Sequence, residues 1–339
     1  MHRCLQLARM GAGHVAPNPM VGAVLVYKDR IIGEGYHQQY GQAHAEVNCI
    51  RSVEEKETQW ISSSTLYVSL EPCAHHGKTP PCADLIIANH IPKVVIACRD
   101  SYKEVAGKGI EKLQAAGVQV TVGVLQTEAL ELNKAFFTFH QRQRPYIILK
   151  WAQSSDKKIA ATGHQRIFIS NDIVNRLVHQ WRSETASILV GTNTALKDDP
   201  ALTTRLVSGK NPVRLVIDRD LKLPKTLQLF DGTVKTMVFN GQKDVTGEMI
   251  CYFKTDINNI ASMLDILYRQ NIQSVLVEGG AKLLQSYIDA GFWDEARVIT
   301  SNDLVIGEGV DAPVLSTHHA NGSQLLGNNR VDYFLNDKL

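Results

Sequence analysis

No apolar run reaches the roughly 18 residues that a membrane-spanning helix needs, so the chain has no segment of that kind. Its opening residues alternate polar and apolar side chains at helical spacing, which is not the layout of a signal peptide. Lysine and arginine form no dense block, and the formal charge is only +2. A nucleic-acid binder normally shows a basic face or stripe, so this balance favours a small-molecule substrate. Nowhere does Gly-x-Gly-x-x-Gly follow a strand and open a helix, which disfavours a Rossmann dinucleotide site. Internal repeats and low-complexity segments are also missing. Cysteine is scarce: six residues at irregular spacings exclude a disulfide framework and suit a reducing compartment, hence a cytoplasmic protein.

What remains is a globular composition, 44% apolar and 21% charged, over 339 residues. That length exceeds one ordinary domain and predicts two. Strand and helix patterns alternate from Met1 to His140, with a hairpin turning at Lys28-Asp29, a helix starting near His44, a strand over 65–70 and a closing helix over 128–140. The polar stretch from His140 to Pro145 reads as a linker, giving domains over 1–141 and 145–339. Beyond it, strands over 146–150, 186–191, 213–218, 236–239, 274–278 and 295–300 are interleaved with helices over 171–183, 257–270 and 281–290. Such alternation predicts α/β layers in both halves.

Three residues carry the chemistry of the first half: His44, Cys73 and Cys82. One imidazole and two thiolates suit Zn²⁺, and three protein ligands leave a tetrahedral ion one open position. A water there falls in pKa to roughly 7. Glu46, two residues from the histidine, can carry protons without binding the metal. A His-x-Glu with a later Pro-Cys is the pattern of zinc deaminases that act on cytosine and adenine. A structural zinc is the rival reading, with Cys49, His75 or His76 closing the fourth position. Eight residues separate Cys73 from Cys82 where deaminases generally have two. That insertion must loop out beside the metal, and its His75, His76 and Lys78 suit an anionic handle, most simply a phosphate. Asn18, between two prolines, can aim its amide at a ring, or can belong to an ordinary Asn-Pro turn; His37 is a weaker candidate.

In the second half, Glu278-Gly279-Gly280 stands between a strand and a helix, where backbone N–H groups can approach a phosphate. Arg182 and Arg205 make sense as a phosphate clamp, although either alone reads first as a surface ion pair. Asp198 can be a turn residue ahead of Pro200, and Lys150 a charge at a strand end.

The segments Pro17–Ala23, Gly35-Tyr36-His37, His44-Ala45-Glu46 and Glu71–Cys82, with Val277–Gly280, Leu149–Ser154, Trp181-Arg182-Ser183, Gly191–Thr194 and Asp198–Arg205, together resemble the RibD family of riboflavin biosynthesis. The eight-residue spacer distinguishes that family from cytidine and tRNA-adenosine deaminases. The resemblance spans nearly the whole chain. It implies a cytidine-deaminase-like three-layer sandwich followed by a dihydrofolate-reductase-like domain. It also implies two activities: deamination of 2,5-diamino-6-ribosylamino-4(3H)-pyrimidinone 5′-phosphate and NADPH-dependent reduction of the resulting ribosylaminouracil. Carried over position by position, the zinc ligands are His44, Cys73 and Cys82, one ion per deaminase domain, and the proton carrier is Glu46. Asn18, His37, His75 and Lys78 would meet the first substrate.

For the reductase, the resemblance assigns NADPH to Ala152, Phe168, Thr194, Asp198 and the turn formed by Gly280, Ala281, Lys282, Leu283, Leu284, Gln285 and Ser286. The second substrate falls to Arg166, Arg182, Leu202, Arg205 and Glu278. Two departures stand out. Gly163–Ser170 replaces the family's usual Gly-x-Ser-x-Trp-Ile-Ser, so Arg166 stands where a serine contact is expected. The family also usually carries several residues before the first helix. The expected partners are small phosphorylated pyrimidines, without nucleic acid or membrane, in a homo-oligomer (a dimer or tetramer). A nucleic-acid base deaminase with a carboxy-terminal RNA-binding module is the alternative.

Overall fold

The computed structural model describes residues 1–75, 80–100, 107–163 and 167–338. Lys78 and Arg166, and with them His76, lie outside the described residues. Two compact units divide the chain, Met1–Gln143 and Arg144–Leu339.

The first unit runs α1 (His2–Arg9), β1 (Gly22–Tyr27), β2 (Arg30–Tyr36), α2 (Ala45–Arg51), a 3₁₀ helix (Glu55–Ser63), β3 (Thr65–Leu70), α3 (Cys82–Ala88), β4 (Lys93–Cys98), α4 (Lys108–Ala115), β5 (Gln119–Val122), α5 (Gln126–Leu132) and α6 (Lys134–Arg142). Its five strands lie in the order β2-β1-β3-β4-β5. The hairpin β1–β2 turns on Lys28 and Asp29, both with positive φ (45° and 63°), as a tight two-residue turn requires. β3, β4 and β5 are parallel. Alternate residues of each strand face opposite sides. Leu66, Val68, Val94 and Ile96 therefore pack with Ala45 and Cys49 of α2, Ile86 of α3 and Leu113 of α4. Ala97, of opposite parity in β4, clusters instead with Leu5 of α1, Ala129 of α5 and Phe136 of α6, joined by Leu70 at the end of β3. Helix, sheet and helix make the three layers expected. The single closing helix is in fact two, because the Asn133 side chain is drawn into a reciprocal pair with Met20: it accepts from Met20 N at 2.8 Å and donates to Met20 O at 2.9 Å. Helix α6 also continues through Arg142, so the polar linker is shorter than its composition suggested.

The second unit runs β6 (Tyr146–Gln153), β7 (Lys158–Ala161), α7 (Asp172–Glu184), β8 (Ser187–Val190), α8 (Thr192–Asp198), β9 (Val213–Ile217), a 3₁₀ turn (Gln228–Phe230), β10 (Thr236–Asn240), β11 (Ile250–Lys254), α9 (Ile260–Arg269), β12 (Ser274–Val277), α10 (Ala281–Asp289), β13 (Glu295–Ser301), β14 (Gly309–Asp311), β15 (His318–Leu326) and β16 (Asn329–Asn336). Nine strands form one sheet, β11-β10-β9-β8-β12-β6-β13-β16-β15, and β14 pairs with β7 separately. From β11 to β13 neighbouring strands are parallel; β16 and β15 return antiparallel. The inner parallel strands β8, β10 and β12 are short, mostly apolar runs buried throughout, as strands covered on both faces must be. Ile147, Leu149, Val275, Leu215 and Phe239 share a core with Leu264 and Leu267 of α9 and Leu284 and Tyr287 of α10.

Candidate active sites

In the first unit the three expected ligands come from three elements. His44 is the N-cap of α2, with extended backbone (φ −71°, ψ 167°). This settles a geometric difficulty: positions two apart on a regular helix diverge, but His44 precedes the helix while Glu46 lies in its first turn. Cys73 follows β3, and Cys82 opens α3 behind Pro81. The His44 Nδ1 lies 3.3 Å from Cys82 Sγ and 3.6 Å from Cys73 Sγ, and one donor atom from each residue falls within 4.8 Å of the others. Cys82 N donates to Cys73 Sγ at 3.3 Å and Ala83 N to Cys73 O at 3.1 Å, so α3's first turn seats the cysteine before it.

Electrostatics match the donor set to a soft-to-borderline cation. The hydrogen bond with Cys82 holds the Cys73 thiol down to about 4; burial opposes this and His44 assists. The same hydrogen bond, with burial, pushes the Cys82 thiol up. One nitrogen and two sulfurs so gathered fit Zn²⁺, which binds as a tetrahedral ion and would displace the remaining proton. Glu46 is 3% exposed; burial first, and the Cys73 charge second, lift its carboxyl to about 7. Among the described residues no fourth His, Cys, Asp or Glu joins the group. Cys49, the rival structural ligand, is packed in the core beneath the sheet and burial raises its thiol.

Asn18 and His37 are brought together beside these ligands. The Asn18 amide donates to His37 Nε2 at 3.2 Å, and His37 Nδ1 donates to Ala43 O at 3.1 Å. The His37 ring stands edge-on to His44, centroids 5.5 Å apart, and burial lowers its pKa. His75 is exposed on the segment after Cys73.

Glu71 belongs to the same motif, yet its sequence position alone assigns it no role. It is 4% exposed, and its carboxylate accepts from Gly109 N (3.0 Å), Ile110 N (3.3 Å), Gly107 N (3.1 Å) and Asp100 N (3.2 Å). It thereby ties the start of α4 to the strand end carrying Pro72 and Cys73. Gly109 is needed for that approach, since a Cβ there would stand 1.9 Å from Pro72 O. An acid at a strand end directly before Pro-Cys was the available signal.

The second unit gathers a different cluster at the carboxyl end of β12. Glu278 receives Arg182 side-on, Nε to Oε1 at 2.9 Å and Nη2 to Oε2 at 2.7 Å, while Lys150 Nζ lies 3.7 Å from Oε2. All three are largely buried. Burial would raise the Glu278 carboxyl, but Arg182 and Lys150 hold it down to about 2. Burial lowers the Lys150 ammonium despite Glu278. The expected pair of phosphate-clamping arginines is therefore not symmetrical. Arg182 gives its fork to Glu278, which lies 96 residues away in sequence, whereas Arg205 is exposed and bonds Thr203 Oγ1 at 3.1 Å. The Arg205 backbone N donates to His179 Nδ1 at 2.8 Å. Leu202 is 2% exposed with φ +50°, so only its backbone can face a ligand.

Gly280 (φ +62°) opens α10, and a Cβ on it would come within 3.3 Å of Thr194 Oγ1, which places Thr194 of α8 against the glycine turn. Leu284 N already bonds Gly280 O at 3.1 Å, leaving the N–H groups of Ala281, Lys282 and Leu283 for a phosphate. The later residues of the expected turn are engaged elsewhere: Leu284 is in the core, Gln285 accepts from Val314 N, and Ser286 donates to Leu283 O. Ala152 is half-buried on β6, Asp198 is exposed at the end of α8, and Phe168 is 78% exposed. A glycine cradle with unengaged N–H groups fits the pyrophosphate of a dinucleotide such as NADPH.

Residues 1–98 match the family described as cytidine and deoxycytidylate deaminase zinc-binding region, and residues 145–319 match the RibD C-terminal domain. The riboflavin biosynthesis protein RibD of Bacillus amyloliquefaciens is 42% identical over 318 residues, covering 91% of this chain and 85% of that protein. The Aquifex aeolicus RibD is 39% identical over 317 residues, 91% of this chain and 88% of its own. A solved Thermotoga maritima structure, titled a diaminohydroxyphosphoribosylaminopyrimidine deaminase/5-amino-6-(5-phosphoribosylamino)uracil reductase, is similar with a TM-score of 0.92 at 36% identity, covering 99% of this chain and 97% of that one. With two domain matches in the expected order and relatives of this identity over nearly full length, the chain belongs to the RibD family of riboflavin biosynthesis.

Proposed function

We propose that this chain catalyses two consecutive steps of riboflavin biosynthesis. The first unit deaminates 2,5-diamino-6-ribosylamino-4(3H)-pyrimidinone 5′-phosphate. The second reduces the ribosyl group of 5-amino-6-(5-phosphoribosylamino)uracil to ribityl with NADPH. The observation that carries the reading is the convergence of His44, Cys73 and Cys82 around one point with buried Glu46 beside them.

His44, Cys73 and Cys82 hold the zinc, which when bound supplies Lewis acidity that brings water within reach of ionisation at neutral pH. Glu46 carries protons: its carboxylate takes one from the attacking water and gives it to the ring nitrogen, then takes the second from the newly added hydroxyl and gives it to the departing ammonia. A carboxyl lifted towards neutrality by burial is suited to both directions. His37, held by Ala43 O and the Asn18 amide, meets the substrate together with Asn18; His75 and Lys78 are the further substrate contacts in this reading.

In the second unit the Gly280 turn, with Thr194, holds the cofactor's pyrophosphate, and Ala152, Asp198 and Phe168 border the same cofactor. The cofactor, when bound, would supply a hydride for C1′ of the ribosyl group; the bond from C1′ to the ring oxygen would break and that oxygen would need a proton. Lys150, buried and kept below the usual lysine range, is the proton source, and Glu278 with Arg182 fixes its position. Arg205 is the cation left to meet the substrate phosphate, and Arg166 and Leu202 are further substrate contacts in this reading. The match to the RibD C-terminal domain does not favour an RNA-binding module in this half.

The enzyme works in the cytoplasm as a homo-oligomer in this reading. All six cysteines are free, and no helix among the described residues is long and apolar enough to cross a membrane. The test is a coupled assay with the diaminopyrimidine substrate and NADPH, following ammonia and absorbance together. Chelation should silence ammonia release and spare NADPH oxidation when the uracil is supplied; joint loss would contradict two separate sites.

A further inference from the structure

Residues 201–205 include Leu202 and Arg205, yet they belong to no helix or strand. Among the described residues no backbone–backbone hydrogen bond holds them. Side chains do so instead. Arg214, fully buried on β9, donates from Nε to Ala201 O at 2.9 Å. Leu202 sinks its own side chain into the core at φ +50°. Arg182 Nη1 donates to Thr203 O at 3.4 Å, and Thr204 N donates to Asn211 Oδ1 at 2.8 Å. The last grip is on Arg205 itself, whose backbone N–H donates to His179 Nδ1 at 2.8 Å.

A backbone N–H can only donate, so the ring nitrogen facing it is bare and the proton of the neutral imidazole sits on Nε2. The surroundings keep it so. His179 is buried on α7, three residues before Arg182, and the charged groups acting on it are Arg182, Arg205, Glu278 and Lys150. Burial, and three cations against one carboxylate, disfavour an imidazolium. Positions three apart share a helix face. That face of α7 therefore serves two places: Arg182 grips Glu278 beside Lys150, and His179 grips the segment that ends in Arg205. Among the described residues the Arg205 guanidinium bonds only Thr203 Oγ1, within the same segment, so its aim follows the backbone that carries it.

We propose that His179 is a positioning residue of the reductase: its Nδ1 lone pair fixes the Arg205 backbone and so aims the guanidinium at the phosphate of the substrate. In this role the imidazole touches neither substrate nor cofactor and moves no proton. The inference rests on the reading in which Arg205 meets that phosphate.

The test is steady-state reduction by the full chain with NADPH, using 5-amino-6-(5-phosphoribosylamino)uracil and its dephosphorylated counterpart. His179→Leu keeps the volume and removes the acceptor, whereas His179→Asn returns an amide oxygen near the former Nδ1. With the phosphorylated substrate, His179→Leu should raise KM about tenfold and leave kcat within about twofold, the scale of a misaimed binding group. His179→Asn should keep KM within about threefold of wild type. With the dephosphorylated substrate all three proteins should share one kcat/KM. Added to Arg205→Ala, His179→Leu should cost nothing further, because the two act through one contact. If His179→Leu does not fold, His179→Gln, whose amide reaches to the Nε2 position, takes its place with the same expectation. An unchanged KM in His179→Leu beside a raised KM in Arg205→Ala would overturn the proposal alone. So would equal losses in the Leu and Asn variants, an equal loss on the dephosphorylated substrate, or losses that multiply in the double variant. An unchanged KM in both single variants would remove Arg205 from the phosphate site, and this role of His179 with it. Wild-type protein that oxidises no NADPH would remove the reductase reading itself.

Discussion

Replacing Glu71 by glutamine changes almost nothing in volume and removes one acceptor oxygen. Four backbone N–H groups of the described residues converge on the carboxylate, two on each oxygen. A glutamine can serve two of them and must turn its own NH₂ toward the other two. Hydrogen bonds to charged groups contribute about 1.5–3 kcal/mol each, and a buried donor left unmet costs a further share. Partial relaxation of the turn before α4 offsets some of this. A loss of roughly 3–5 kcal/mol for the first unit follows, against a typical domain stability of about 5–15 kcal/mol. The effect should also reach the metal, because the carboxylate anchors the strand end two residues before Cys73. Partners one step outside a metal's ligands typically alter affinity by about 10–100-fold. Urea denaturation of metal-depleted protein would report the first quantity, and competitive zinc titration with a chromophoric chelator the second. A stability loss under about 1 kcal/mol, or an unchanged zinc affinity, would refute the reasoning from this hydrogen-bond geometry.

Other expectations concern the two sites more directly. Glu46→Gln should abolish ammonia release while zinc stays stoichiometric by atomic absorption; zinc lost from that variant would make Glu46 a ligand. Arg205→Ala should raise KM for the phosphorylated uracil about tenfold or more, as loss of a charged phosphate contact implies, with kcat less affected. An unchanged KM would take Arg205 out of the phosphate site. The second unit's stability should depend on pH in two steps. His179 is held down from 6.5 to about 4 by burial and by Arg182 and Arg205, so its contribution is full above pH 6.5 and lost as pH falls towards 4. Glu278, whose carboxyl drops from 4.5 to about 2, adds a second loss as pH falls from 4.5 towards 2. In Glu278→Gln the second loss should vanish and the unit should start about 3–5 kcal/mol less stable, with Arg182 and Lys150 left buried beside no counter-charge. Chemical denaturation at stepped pH would show both.

Local sequence carried the deaminase centre because its ligands sit at element ends: a helix cap, a strand end, a helix start. Those positions announce themselves through Pro-Cys and His-x-Glu. The parallel strands were legible for a similar reason, as short apolar runs alternating with helical periods. The hairpin β15–β16 was not, since most of β15 is exposed and its residues, His318–Leu326, are largely polar. β11 escaped notice as well, a short, mostly half-exposed strand at the sheet edge. The break between α5 and α6 depends on Met20, over a hundred residues from Asn133 in sequence. Arg182 and Glu278 both stand out in the sequence, but their pairing is tertiary. The four-donor shell of Glu71 is likewise invisible until α4 is placed against β3's end.

The zinc centre is tested most directly by X-ray absorption at the zinc edge on metal-loaded protein. The arrangement of His44, Cys73 and Cys82 predicts two sulfurs at about 2.3 Å and two nitrogen or oxygen neighbours at about 2.0–2.1 Å, one of them from solvent. A third sulfur, or a second histidine in the fourth position, would contradict an open site and with it the proposed deamination.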